Sequence, residues 1–301
     1  MRAGICHILL TIDVEDWFQV ENFKQYISFS SWPSRELRVE KNTHRLLDLL
    51  DSIPHSPKAT FFVLGWVADR LPDLVREIHG RGHEVASHGY YHKLCSQESR
   101  DALRRDLTDS KRLLEDIIGA PVYGYRAPSF SISGEILELI RDCGYSYDSS
   151  YNSFEGHSRY GHVDLTGNKR KGIAIAVPEP VNPKSKPMHE LPISNMNLGR
   201  HVLPWGGGGY FRLIPSALFN LGVKRILNKE RAYLFYMHPW EIDPGQPGVK
   251  EASRLFKFRH YINLNKTESK LLSFAGAFRG CCFITCHKYL KQAVCAENAW
   301  F

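Results

Sequence analysis

Short apolar runs alternate with longer segments of helical periodicity along most of this 301-residue chain, and several of the runs end in an ionisable residue. Ile5–Ile12 is a nearly continuous apolar run, interrupted by His7 and followed at once by Asp13, Glu15 and Asp16. Such a run reads as a strand buried on both faces. Val39–Asp51 carries Leu46, Leu47, Leu49 and Leu50 on a helical face, and Ala59–Leu64 is again strand-like. Pro72 opens a helix to His79 that Gly80 and Gly82 close. His83–Ser87 reads as a strand, Glu98–Ile118 as a long amphipathic helix, Val122–Tyr125 as a strand, Gly134–Cys143 as a helix and Tyr145–Tyr147 as a strand. This alternation predicts an α/β fold with a largely parallel sheet. Between Asp148 and Pro187 Gly, Pro, Ser and Asn dominate, broken by Ile173–Val177, which predicts strands and loops. Ala232–Met237 is a further buried strand, Asp243–Gly248 a turn, Lys266–Phe278 a helix and Phe283–Cys286 a last strand.

Hydrophobic residues at 43% and charged residues at 24% exclude a disordered chain. No apolar run reaches membrane-spanning length. The first run has neither a long apolar core nor a small-residue cleavage site, so it reads as a strand and not as a secretory signal. The net charge of +7 comes from Lys and Arg spread along the chain without a nucleic-acid-binding signature, so no nucleic-acid partner is expected. Seven Cys lack the paired spacing of a structural zinc site, which predicts free thiols in a reducing compartment.

Four constellations can carry chemistry. Asp13, Glu15 and Asp16 crowd the end of the first strand, and crowded carboxylates call for a cation or a shared proton. His88 and His92 stand four apart, which brings two imidazoles to one face of a helix turn or a tight loop; two imidazoles and a carboxylate make an open metal site. Arg126, just after a strand and stiffened by Pro128, can hold a carboxylate through a fork of hydrogen bonds. His238 ends the Ala232–Met237 strand as an acid or base, with Asp148 available to pair with it and raise its pKa. Gly206–Gly209 has no Lys-Ser/Thr behind it, so it reads as a flexible rim or hinge and not as a phosphate loop. Neither a Gly-x-Ser-x-Gly elbow nor a dinucleotide fingerprint is present. Asp13, His88, Arg126 and His238 all end predicted strands, so one parallel sheet would aim all four into one mouth.

In order and spacing, Asp13–Asp16, His88-x3-His92, Arg126-x-Pro128, Asp148 and Met237-His238-Pro239 resemble the polysaccharide deacetylase family of metal-dependent carbohydrate esterases, over roughly residues 5–245. His189–Pro192, Gly208–Arg212 and Phe258–Tyr261 are similar to the branch associated with exopolysaccharide loci that accompany a surface-protein sorting system. The resemblance implies a distorted (β/α) barrel over residues 1–245 with a C-terminal extension, 246–301, packed on it. It implies one divalent metal, zinc first and cobalt or another divalent ion otherwise, held by His88, His92 and either Glu15 or Asp16. Val14 stands where the family has its second Asp, so both carboxylates stay open. Asp13 would be the base, Arg126 its orienting partner, and His238, kept protonated with help from Asp148, the acid. A backbone N–H of Ser129 or Phe130 would face the oxyanion. Tyr90, Pro128, Ser129, Phe130, Tyr210 and Trp240 would meet substrate, Tyr90, Tyr210 and Trp240 together with Tyr91 and Trp17 by stacking. The implied activity removes N-acetyl groups from amino sugars of an exopolysaccharide or its precursor. Gly89, in place of the usual Ser or Thr, leaves room for a peptidoglycan or cyclic-imide amidohydrolase, and a non-catalytic glycan-binding relative is the remaining alternative. With no signal read, a cytoplasmic or inner-membrane-peripheral location is expected.

Overall fold

The computed structural model describes residues 5–154, 156, 159–178 and 186–295. Its strands are β1 (His7–Val14), β2 (Thr60–Val63), β3 (Glu84–Ser87), β4 (Gly124–Tyr125), β5 (Tyr147–Asp148), β6 (Arg170–Lys171), β7 (Ala174–Ala176), β8 (His189–Glu190), β9 (Asn195–Leu198), β10 (His201–Pro204), β11 (Ala232–Met237) and β12 (Cys282–Phe283). Its α-helices are α1 (Val39–Ser52), α2 (Gly65–Arg70), α3 (Pro72–Gly80), α4 (Arg100–Ile118), α5 (Gly134–Asp142), α6 (Gly208–Leu213), α7 (Ser216–Glu230), α8 (Arg254–Tyr261), α9 (Thr267–Ala277) and α10 (Cys286–Cys295).

One sheet runs in the order β11-β1-β2-β3-β4-β5-β8-β7-β6, with β12 also pairing to β1. It is parallel from β11 through β8. The apolar run of β1 sits between β11 and β2, and Ile8–Val14 are all buried. The sheet curls until the chain following β8 reaches β11: the Leu234 N–H donates to Ser194 Oγ at 2.8 Å and the Tyr236 N–H to the Gly206 carbonyl at 2.7 Å. Irregular backbone therefore completes the wall, which is the distortion of the barrel. Gly206 and Gly208 are spacing devices there. A Cβ on Gly206 would lie 2.7 Å from the Ser194 carbonyl oxygen, and one on Gly208 2.3 Å from the Glu241 carboxylate. The expected flexible rim is thus a tightly packed corner.

Register sets the function. Ile12 pairs with Met237, Val63 with Ser87, Ser87 with Tyr125, and Tyr125 with Asp148. Asp13, His88, Arg126 and His238 follow or end these rows, so they emerge together at the C-terminal rim, where parallel sheets place their sites.

The helices follow from periodicity and caps. α4 starts where Ser99 Oγ accepts the Ala102 N–H and stops at left-handed Gly119 (φ 65°). α7 was not expected. Phe219, Val223, Ile226 and Leu227 are buried, but Leu218 and Leu221 are exposed, so its apolar face has no clean edge. The 246–295 segment shares the main core: Phe274 of α9 meets Phe211, Phe219 and Phe235 at ring distances of 6.1, 6.3 and 6.2 Å. Residues 179–185 of the loop-rich stretch and 296–301 of the expected extension lie outside the described residues.

The free-thiol expectation fails for two cysteines. Cys6, just before β1, is disulfide-bonded to Cys281, just before β12. Cys95, Cys143, Cys282 and Cys286 are free. Among the described residues no helix is long and apolar enough to cross a membrane.

Candidate active site

Arg126 organises the floor of the site. Its guanidinium is fully buried and every nitrogen is used: Nη1 donates to Asp13 Oδ1 (2.6 Å) and Thr11 Oγ1 (2.8 Å), Nε to the Ser149 carbonyl (2.9 Å) and Nη2 to Ser149 Oγ (2.8 Å). Its own carbonyl accepts from His88 Nδ1 at 2.8 Å. A carbonyl can only accept, so Nδ1 carries the proton and Nε2 of His88 keeps a lone pair. Burial holds the His88 imidazole neutral, its pKa lowered to about 4.

Glu15 comes next. Asp13 and Glu15 lie two residues apart at the strand end and share a side. Glu15 Oε2 lies 2.8 Å from His92 Nε2, and Oε1 lies 3.4 Å from both His238 Nε2 and Trp240 Nε1. Burial pushes the Glu15 carboxyl up, but His92 and His238 outweigh it and bring it down to about 2. One ligand atom each from Glu15, His88 and His92 lies within 4.8 Å of the others, all three buried. An ionised carboxylate, an imidazole with a fixed free Nε2 and a second imidazole suit a divalent cation such as zinc.

Asp16, the other carboxylate kept open, turns away from this group. Its oxygens accept the N–H groups of Trp17 (2.8 Å), Arg38 (2.6 Å) and Val39 (2.9 Å), the last two at the start of α1. It caps a helix start from 22 residues away and stands outside the Glu15–His88–His92 group.

The histidine pair sits on a loop. Gly89 (φ 74°) and His92 (φ 53°) are left-handed, and a Cβ on Gly89 would come 2.8 Å from Asp106 Oδ1. Gly89 therefore answers a backbone need. Asp106, half-buried on α4 with its carboxyl raised by burial to about 6, accepts the Tyr90 N–H at 3.0 and 3.1 Å and so anchors the loop.

His238 finds a partner other than the expected one. Its Nδ1 lies 2.9 Å from Glu241 Oε1, which also accepts the His238 N–H at 3.1 Å. Glu241 Oε2 accepts from Arg212 Nε at 2.7 Å, and Arg212 further donates to the carbonyls of Arg259, His260 and Ile262. Burial lowers the His238 pKa, but Glu15, Glu241 and Asp13 raise it to a net value of about 9. Its Nε2 faces Asp13 Oδ2 at 4.0 Å. The His238 ring stacks on Trp240 (4.9 Å, 17°) and Trp240 on buried His260 (4.1 Å, 16°).

Asp148 does not reach His238. It accepts from Ser150 N–H (2.9 Å) and Ser150 Oγ (2.8 Å), while Ser150 Oγ accepts the Ala127 N–H, so Asp148 shapes the turn behind Arg126. Glu190 stands beside it, fully buried; burial and Asp148 push its carboxyl well above the usual range, so this pair retains a proton. Glu190→Gln, which replaces that proton by an amide N–H, is expected to unfold close to wild type. Glu190→Ala takes the shared proton from Asp148 and the acceptor from the Tyr151 N–H, and is expected to cost about 1–3 kcal/mol in denaturant unfolding. Equal losses in both variants would refute the shared proton.

The cavity above Asp13, Glu15, His88 and His92 has a volume of about 170 Å³, and Ser129, Phe130, Tyr210 and Trp240 line it. Ser129 (φ 51°) and Phe130 (φ 58°) are consecutive left-handed residues. The Phe130 N–H donates to the Ala127 carbonyl at 2.9 Å, which removes it as an oxyanion donor. Pro128 is buried in the turn below, outside the lining. Tyr90 packs on α2, where a Cβ on Gly65 would lie 2.6 Å from its ring, and lines a different groove. Trp17 is buried, its Nε1 donating to the Glu36 carbonyl. Glu241, Arg212 and Asp106 were missed. The His238-x2-Glu241 spacing signalled the first; Arg212 lies in the Gly208–Arg212 motif, which by itself points to no role.

Residues 21–147 match the polysaccharide deacetylase family and residues 149–291 a domain of unknown function, DUF3473. A peptidoglycan-N-acetylglucosamine deacetylase of Bacillus cereus is 31% identical over 103 residues, 34% of this chain and 47% of that one. A chitooligosaccharide deacetylase of Sinorhizobium fredii is 31% identical over 120 residues, 40% of this chain and 53% of that one. The chain spans about a third to a half of the length of the first curated relatives it matches. In fold it is similar to a crystal structure of a candidate polysaccharide deacetylase from Mycobacterium smegmatis, with a TM-score of 0.62, 20% identity and coverage of 99% of this chain and 93% of that one. By sequence, residues 21–147 match a polysaccharide deacetylase domain, and the fold of the chain is similar to that of a solved protein of that description.

Proposed function

We propose that the chain is a metal-dependent hydrolase that removes N-acetyl groups from amino sugars of an exopolysaccharide or its precursor and releases acetate. The observation that carries this reading is the single cavity in which a buried Glu15–His88–His92 ligand set adjoins the Asp13–Arg126 pair and the His238–Glu241 pair. Glu15, His88 and His92 would hold the cation. When bound, a divalent ion, zinc first, supplies Lewis acidity toward the amide carbonyl and a lowered pKa for water. Asp13 takes the proton of the attacking water through Oδ2, since Arg126 occupies Oδ1. The Ser129 N–H is the remaining backbone donor for the oxyanion. His238, protonated and held at Nδ1 by Glu241, gives its Nε2 proton to the leaving nitrogen as the C–N bond breaks. Water and amide thus become acetate and free amine.

Tyr210 lines the cavity as a sugar-facing surface, whereas the buried Trp240 ring is already stacked on His238 and His260. The names of the relatives also support peptidoglycan as substrate. A decayed glycan binder is disfavoured because ligand set, base and acid are all present. The Cys6–Cys281 disulfide favours an oxidising compartment over the expected cytoplasmic one.

Purified protein is expected to contain about one divalent ion per chain. Chelation should abolish acetate release from N-acetylglucosamine oligomers, zinc or cobalt should restore it, and His88→Ala should lose the ion. Turnover unchanged by chelation would reject the reading. A panel of peptidoglycan, exopolysaccharide fragments and a cyclic imide separates the substrates.

A further inference from the structure

We propose that a second groove, beside His92, is a subsite for a neutral sugar residue one or more units along the glycan from the reacting one. The proposal rests on the deacetylase reading for the identity of its ligand, and it stands on four observations about the groove itself.

The first is continuity. The groove has a volume of about 200 Å³, and Val20, Glu21 and His92 line both it and the reactive cavity. A chain seated over the metal-ligating residues therefore extends into it. The second is its aromatic wall. Phe29 and Tyr91 are 51% and 41% exposed, unusual for rings of this size, and meet edge to face at 5.4 Å; Phe29 also leans on Trp32 at 4.8 Å. Trp32 is buried against Phe18 and Trp66, so the wall is backed by core. Apolar ring faces set in a concave surface suit the C–H face of a pyranose.

The third is an amide short of an acceptor. Gln19 lines the groove and is 2% exposed. Its Oε1 accepts the Asp16 N–H at 2.7 Å, which fixes the side chain, but Nε2 has no hydrogen-bond partner among the described residues. Buried polar groups are rarely left so. A hydroxyl or acetamido oxygen supplies the missing acceptor. The fourth is charge. The two rim lysines are each matched by a glutamate, Lys24 with Glu21 at 3.5 Å and Lys93 with Glu98 at 3.2 Å. No surplus charge remains for a uronate or phosphate, so the occupant is an uncharged hexose or N-acetylhexosamine unit.

Phe29→Ala tests this without threatening the fold, because half of that side chain is already in solvent. Acetate release is measured with N-acetylglucosamine and with its tetramer. The KM for the tetramer is expected to rise about tenfold with little change in kcat, and the monomer to be unaffected. Tyr91→Ala should act in the same direction. Equal effects on tetramer and monomer, or no effect on either, would overturn the subsite while leaving the deacetylase reading in place. If wild type releases acetate from neither, that reading fails, and calorimetry of tetramer binding decides the subsite alone. Binding about tenfold weaker in Phe29→Ala supports it; absent or equal binding overturns it.

Discussion

Asp13→Asn is expected to lower acetate release by about a hundred- to ten-thousand-fold while the protein keeps its metal. The amide preserves the size of the side chain and the Arg126 Nη1 contact to Oδ1, so the floor of the cavity stays in place. What disappears is Oδ2, the oxygen that takes the water proton in the proposed reaction. Asp13 is not part of the Glu15–His88–His92 group, which is why metal content and turnover should separate. Metal analysis beside the rate measurement checks this. If the variant also loses its ion, the division between ligand and base is wrong.

The second large effect concerns stability. Arg126→Ala is expected to cost about 3–5 kcal/mol in denaturant unfolding, because removal of one partner leaves Asp13 as an uncompensated buried charge. Thr11 Oγ1, Ser149 Oγ and the Ser149 carbonyl lose their donors as well. Arg126→Lys restores the charge but not the planar fork, so it should recover only part of the stability and little of the activity. An Arg126→Ala protein that unfolds at the wild-type denaturant midpoint would show that the fork is dispensable.

Much of this was legible in the residues. The apolar run of β1 and the residues that end the parallel strands placed Asp13, His88, Arg126 and His238 at one rim, because register in a parallel sheet carries strand ends to the same height. The spacing of His88 and His92 pointed to paired imidazoles, though not to the left-handed loop that carries them. Glu15 against Asp16 was undecided because the deciding partners of Asp16, the Arg38 and Val39 N–H groups, come from a helix start that local pattern does not tie to it. The spacing of the two carboxylates in some relatives favoured Glu15, and side-chain type favoured Asp16. Asp148 was paired with His238 as the acidic residue that follows the Tyr145–Tyr147 strand; only side-chain direction shows that Ser150 and Glu190 take it and Glu241 takes His238. Arg212 was out of reach in the same way, since its bonds to Glu241 and to three carbonyls of 259–262 join segments with no common pattern.

The place of β1 between β2 and β11 also governs biosynthesis. The strand that carries Asp13 emerges from the ribosome before the other strands of this sheet, yet its partner Ala232–Met237 and the adjoining His238 emerge more than 200 residues later. Until then the nascent chain has Glu15, His88 and His92 but no His238 opposite them, and an open edge along its most apolar strand. Such long-range closure is slow, so the interval before β11 arrives is when the growing chain is most exposed to aggregation and most in need of a chaperone.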